Sequence, residues 1–299
     1  MNPISYRTVL VDGLTVFYRE AGEKQAHTLV LLHGFSSSSH MFRNLLPALA
    51  EHFHVVAPDY PGYGYSDCPS VEHFTYTFDH LEEVVEHVLD ALNLKRFSLY
   101  VQDYGAPVGF RLAVKHPERI EALISQNGNA YLEGLTSFWE TAWPFWSHRT
   151  AETEQPIRRL FTPEATRWQY LQGVREPEHI SPDAWTLDQW GLDRPGNVDI
   201  QLALFQDYRT NPERYAEWQE YFRRSQPPLL AVWGKHDPIF GPAGAEAFKH
   251  DVPDLDSHTQ ERRMDAPFTK QGILLEFADL VPNLQRRFAY PLVCLWLRI

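Results

Sequence analysis

The chain of 299 residues is 43% hydrophobic with a formal net charge of -12, which gives it enough apolar matter for a full core plus an inserted subdomain and the wrong sign for nucleic acid or an anionic membrane surface. Its two cysteines, Cys68 and Cys294, lie far apart without metal-type spacing, so a disulfide framework is excluded and a reducing compartment is expected. No charged-then-apolar pattern occurs between Met1 and Gly13 and no apolar run approaches membrane-spanning length, so the expectation is a soluble, cytoplasmic protein.

Taken in order, Val9 to Val11 and Leu14 to Tyr18 alternate around Asp12-Gly13 and predict an antiparallel hairpin. Thr28 to Leu32 is a short continuous apolar run, the pattern of a strand covered on both faces. It ends in His33-Gly34-Phe35-Ser36, where a backbone N–H is well placed to donate to a developing oxyanion and the glycine allows close approach. Met41 to Ala50 predicts a helix and His54 to Ala57 the next buried strand. The following Pro58-Asp59-Tyr60-Pro61-Gly62-Tyr63-Gly64-Tyr65-Ser66-Asp67 is a structured loop with no catalytic assignment. Thr77 is positioned to cap a helix whose Phe78, Leu81, Val84, Val85, Val88, Leu89 and Leu92 repeat on one face.

The stretch that organises the rest follows. An apolar strand, Phe97 to Val101, runs through Gln102-Asp103-Tyr104-Gly105-Ala106 into a helix marked by Val108, Leu112 and Val114, so Asp103 sits on a sharp strand-to-helix turn. A carboxylate needs no base to be a nucleophile at neutral pH, and attack on a saturated carbon leaves an ester on the protein. Ile120 to Ser125 is one more strand. Strands alternating with helices imply an α/β architecture with a mostly parallel sheet and ligands at the carboxyl ends of its strands, where Asp103, His33-Gly34-Phe35 and Asn127 all fall. From about residue 131 to 228 the pattern changes. That segment holds seven of the nine tryptophans and five tyrosines, and reads as an aromatic-rich helical lid between a first core part, 1–130, and a second, 229–299. The second part resumes with Leu229 to Trp233, then Gly234-Lys235-His236-Asp237, with Asp237 at the strand end where the orienting acid of a triad belongs.

As a set, His33-Gly34-Phe35, Pro58-Asp59-Tyr60-Pro61-Gly62-Tyr63-Gly64, Gln102-Asp103-Tyr104-Gly105-Ala106 and Trp233-Gly234-Lys235-His236-Asp237 resemble the α/β-hydrolases with an aspartate nucleophile, the epoxide hydrolase and haloalkane dehalogenase group. The resemblance implies the α/β-hydrolase fold, Asp103 as nucleophile, backbone N–H groups of Phe35 and Tyr104 as oxyanion hole, and Asp237 orienting a histidine base. Epoxide hydrolases hold the epoxide oxygen with two lid tyrosines. Tyr208, in Tyr208-Arg209, resembles the later one, and Tyr170 is the candidate for its partner. The earlier position falls among Trp139, Trp143 and Trp146, which together with His33 complete the candidate substrate-binding set. Haloalkane dehalogenases usually place a tryptophan directly after the nucleophile, where this chain has Tyr104, so the epoxide reading ranks first and the halide reading second. The fluoroacetate dehalogenases need an arginine at that place, and Tyr104 does not serve.

The carboxyl end departs from the family. His258 lies within Asp256-Ser257-His258-Thr259-Gln260-Glu261-Arg262-Arg263-Met264-Asp265, a stretch that reads as neither strand nor catalytic loop, and no histidine follows it. His258 is therefore the candidate base, and residues after about 255 are expected to be a divergent or frame-shifted end. Such a chain is expected to form a covalent ester that turns over slowly or not at all. The alternative from another class is a non-catalytic binder of small apolar ligands. No cofactor or metal is implied, the expected partner is a small apolar substrate, and oligomeric state is left open.

Overall fold

A computed structural model describes residues 3–172 and 177–259. Eight strands form one sheet: β1 (Ser5–Val11), β2 (Leu14–Ala21), β3 (Thr28–Leu32), β4 (His54–Pro58), β5 (Phe97–Gln102), β6 (Ile120–Gln126), β7 (Leu229–Trp233) and β8 (Asp256–Thr259). Their order is β1-β2-β4-β3-β5-β6-β7-β8, with β1–β2 and β2–β4 antiparallel and every later pair parallel. Asp12 and Gly13 turn the opening hairpin with positive φ at both residues, the geometry that two-residue hairpin loops require.

Among the described residues ten helices join them: α1 (Leu45–Leu49), α2 (Phe78–Ala91), α3 (Gly105–Lys115), α4 (Trp143–Ser147), α5 (Ala151–Arg158), α6 (Pro163–Leu171), α7 (Pro182–Leu192), α8 (Asn197–Asp207), α9 (Thr210–Ser225) and α10 (Ala243–Ala247). Alternate residues of the central strands feed two apolar clusters, as a period of two dictates. Val30, Leu32, Leu99 and Val101 pack with the buried stripe of α2 and with α3, whereas Leu29, Leu31 and Tyr100 pack against Leu45, Leu46 and Leu49 of α1. Thr77 caps α2 as expected, its hydroxyl accepting from the His80 N–H at 3.1 Å. The helix expected over Met41 to Ala50 is split into a 3-10 turn, Ser39–Phe42, and α1. Pro47 has no N–H to extend a longer ladder.

The connection after β3 enters α1 on one face, and the connection after β5 enters α3 on the other. The adjacent strands β3 and β5 therefore flank the point where the strand order reverses, the place where open α/β sheets bind ligands. Between β6 and β7 lie α4 to α9, and among the described residues this insertion adds no strand to the sheet. One expectation is corrected here. Asp256–Thr259 is a strand, pairing in parallel with β7 from Leu230↔Asp256 to Trp233↔Thr259. Its polar residues hid it, because β-propensity and alternation signal a strand only where the flanking faces are apolar. The stretch from residue 260 onward lies outside the described residues. Among those described, no helix is long and apolar enough to cross a membrane, and no group of three or more His, Cys, Asp or Glu is placed to hold a metal ion.

Candidate active site

The β5–α3 turn needs a residue in left-handed backbone, and Asp103 supplies it at φ 52°. Asp is among the few non-glycine types that tolerate this conformation, at a cost of about 1–2 kcal/mol. The turn is tight because small residues surround it. A Cβ on Gly105 would stand 2.2 Å from the Leu32 carbonyl oxygen, and one on Gly34 would stand 2.4 Å from the Asp103 Cβ and 2.3 Å from Gln102 Oε1. With Leu32 in register with Val101, these glycines let the ends of β3 and β5 meet. The Phe35 N–H then donates to Asp103 Oδ1 at 2.6 Å, a charge-assisted bond of the short kind. Tyr104 is the N-cap residue of α3, so its N–H is one of the orphan donors that point out of a helix N-terminus.

Asp237 stands beyond β7 and is 5% exposed. Its Oδ1 accepts from the N–H groups of Ile239 at 2.7 Å and Phe240 at 3.1 Å. Its Oδ2 accepts from Asn127 Nδ2 at 2.5 Å, and Asn127, at the end of β6, also holds Gly234 N–H through Oδ1 at 3.4 Å. Burial, with a smaller push from the charge of Asp103, raises the Asp237 carboxyl to about 7 against these stabilising hydrogen bonds. Among the described residues no cation pairs with it.

A narrow cavity opens above Asp103. Its walls include Phe35, Tyr104, Phe138, Trp139, Phe205 and Ile239, with Ala165, Trp168 and Gln169 contributed by α6 and Leu160 just before it. It spans about 430 Å³ including its mouth. The site is therefore small and walled mainly by apolar side chains. Gln169 is 7% exposed, and its carboxamide makes no hydrogen bond to any described residue.

The residues anticipated from sequence divide clearly. Asp103, Phe35, Tyr104 and Trp139 meet around this cavity. His33 lies below it, fully buried, with Nε2 accepting from the Tyr60 N–H at 3.2 Å and its ring 4.2 Å from that of Tyr60; it ties β3 to the Asp59 loop and lines no part of the cavity. Trp143 is 56% exposed on α4. Trp146 spends its N–H on the Phe205 carbonyl at 2.7 Å, and Trp139 spends its own on Ile239 at 3.0 Å. Tyr208 stacks on Trp139 at 4.4 Å and its ring lies 5.8 Å from that of Tyr104; Trp139 and Tyr104 are both walls of the cavity. Tyr170 belongs to a separate cluster with Ile180 and Ala184, and its hydroxyl donates to Asp188 Oδ2 at 2.6 Å. Tyr208 thus packs behind the cavity wall, close enough for the Asp103 charge to act on its hydroxyl, whereas Tyr170 lies in its own cluster. The backbone of His258 lies inside β8, level with Val232, whereas Asp237 is five residues further along the chain.

A family model of the alpha/beta hydrolase fold matches residues 27–266. The chain belongs to that family. This hydrolase is 45% identical over 248 residues to an uncharacterized hydrolase of Saccharomyces cerevisiae, YNR064C, covering 82% of this chain and 85% of the relative. It is 29% identical over 260 residues to haloalkane dehalogenase 1 of Mycobacterium bovis, with 86% and 83% covered. The solved structure of the epoxide hydrolase CorEH without ligand is similar in fold, with a TM-score of 0.73 at 18% identity over 96% of this chain and 99% of that one. Sequence reasoning missed α6 as a wall of the hydrolase cavity. Trp168 and Gln169 carry the helical spacing of any amphipathic segment, and nothing in that spacing says which face meets Asp103.

Proposed function

We propose that this hydrolase opens a small apolar epoxide through an ester on Asp103. The observation that carries the reading is the 2.6 Å bond from the Phe35 N–H to Oδ1 of Asp103, a residue in left-handed backbone that lines a mainly apolar cavity. Asp103 Oδ2 forms a bond to a ring carbon, the ring C–O bond breaks, and its electron pair stays on the oxygen as an alkoxide, which then takes a proton from water. Water next adds to Cγ. The tetrahedral oxyanion on Oδ1 faces the N–H groups of Phe35 and Tyr104, and collapse releases the diol and restores the carboxylate.

The second step needs a base for the proton of the attacking water, and Asp237 is the acid that orients an imidazole there. His258 is the histidine that the sequence offers for this role. Since its backbone is level with Val232 inside the sheet and not beyond the strand tips, the reading makes ester hydrolysis the slow step and has the ester accumulate. A second reading, a haloalkane substrate, draws support from the dehalogenase relative at 29% identity and uses the same attack with halide leaving. It ranks lower because the indole N–H groups of Trp139 and Trp146, which a halide would need, are taken by carbonyls. The test is diol and halide release by wild type and Asp103→Asn, given a terminal epoxide and a primary bromoalkane. Product from wild type and none from the variant supports the reading; equal release from both rejects it, and binding of either compound without any chemistry marks the protein as a binder.

A further inference from the structure

Helix α6 carries three buried polar residues near one another, and two of them are satisfied within the protein. Thr166 donates to Gln189 Oε1 at 2.7 Å, and Tyr170 donates to Asp188 Oδ2 at 2.6 Å. Gln169, between them, is the exception. It is 7% exposed, lines the cavity that holds Asp103, and has no partner among the described residues. Leucine or methionine would fill the same space without stranding an amide in an apolar wall. The amide atoms are not sealed in the protein either, since they are absent from the buried polar atoms that lack partners, and the residue lines the cavity. Rotating the planar carboxamide by half a turn exchanges oxygen and NH₂ without changing its shape.

We infer that the Gln169 carboxamide is the hydrogen-bond donor to the oxygen that leaves the carbon attacked by Asp103. This rests on the epoxide reading above and places a donor on α6, in the cavity wall that includes Asp103. As the ring C–O bond lengthens, negative charge grows on the oxygen, and an N–H aimed at that charge is worth more in a dry site than in water. The amide transfers no proton. It holds the alkoxide until water protonates it.

The test uses the full-length protein and the rate of mass gain on Asp103, with a terminal epoxide and a primary alkyl iodide of the same chain length. Gln169→Met removes the donor at similar length, and Gln169→Glu keeps the shape while replacing NH₂ by an acceptor. Both variants are expected to lose about 10²-fold in epoxide ester formation, the loss seen when one oxyanion donor is removed. The iodide, a weak hydrogen-bond acceptor, is expected to react with Gln169→Met nearly as with wild type. Equal losses for the two substrates would mean a packing role and overturn the inference, as would an unchanged epoxide rate. A wild type that gains no mass from either compound would instead remove the Asp103 reading, and the inference with it.

Discussion

Replacing Asp237 by asparagine probes the electrostatics behind the site. In the unfolded chain this carboxyl titrates near 4, whereas in the folded protein burial holds it up at about 7. Between those values the folded protein keeps a proton that the unfolded chain releases, so stability falls as pH rises and levels off above about 7. Over roughly three pH units at about 1.4 kcal/mol each, the loss amounts to about 4 kcal/mol. Asparagine cannot ionise, and its Oδ1 still accepts from Ile239 and Phe240. The bond from Asn127 to Oδ2 is given up or re-formed by an amide flip, at a cost of about 1 kcal/mol. Asp237→Asn is therefore expected to be about 1 kcal/mol less stable than wild type below pH 4, about equal to it near pH 5 and about 2–3 kcal/mol more stable at pH 8. Urea unfolding of both proteins at half-unit steps across this range measures the difference. A gap independent of pH, or a variant several kcal/mol weaker at pH 8, would show that a cation holds the carboxylate ionised and would refute the reasoning.

Other outcomes follow from the same geometry. Gly105→Ala forces a Cβ to 2.2 Å from the Leu32 carbonyl and is expected to lower stability by about 2 kcal/mol or more, read by thermal unfolding. Gly34→Ala presses on Asp103 itself and should abolish mass gain on Asp103 more completely than it lowers the melting temperature. Tyr170→Phe loses one hydrogen bond to Asp188, so it should cost about 1–2 kcal/mol of stability and leave the rate of ester formation unchanged; a slowed rate would restore the two-tyrosine cradle. Asp103→Asn removes one of the charges that raise Asp237, so the pH at which stability levels off should move down in that background.

The hydrolase framework was legible wherever chemistry and backbone geometry coincide. Gly34, Asp103 and Gly105 are spaced so that only a strand-turn-helix joined to a neighbouring strand end uses them all, and the structure brings Phe35 and Asp103 together there. The stripe of α2 and its Thr77 cap were equally readable, because period and capping act locally. The helical insertion was not. Aromatic content pointed to an apolar pocket, but which ring meets the cavity depends on how α6 and α8 settle on the sheet: Trp139 lines it, Tyr208 packs behind Trp139, Trp143 is exposed and Tyr170 lies in a separate cluster. Gln169 gave no signal at all, since a glutamine on a helix is ordinarily a surface residue. β8 was hidden for the opposite reason: Asp256–Thr259 has strand geometry without strand composition.

The central claim is that Asp103 carries the substrate as an ester. Wild-type protein incubated with a terminal epoxide, quenched in acid and digested, should yield the peptide containing Asp103 heavier by the mass of the whole epoxide, while Asp103→Asn stays unmodified. Diol released without any such peptide, in H₂¹⁸O with all of the label in the diol and none in the Asp103 carboxylate, would mean that water attacks the epoxide directly and would contradict the account.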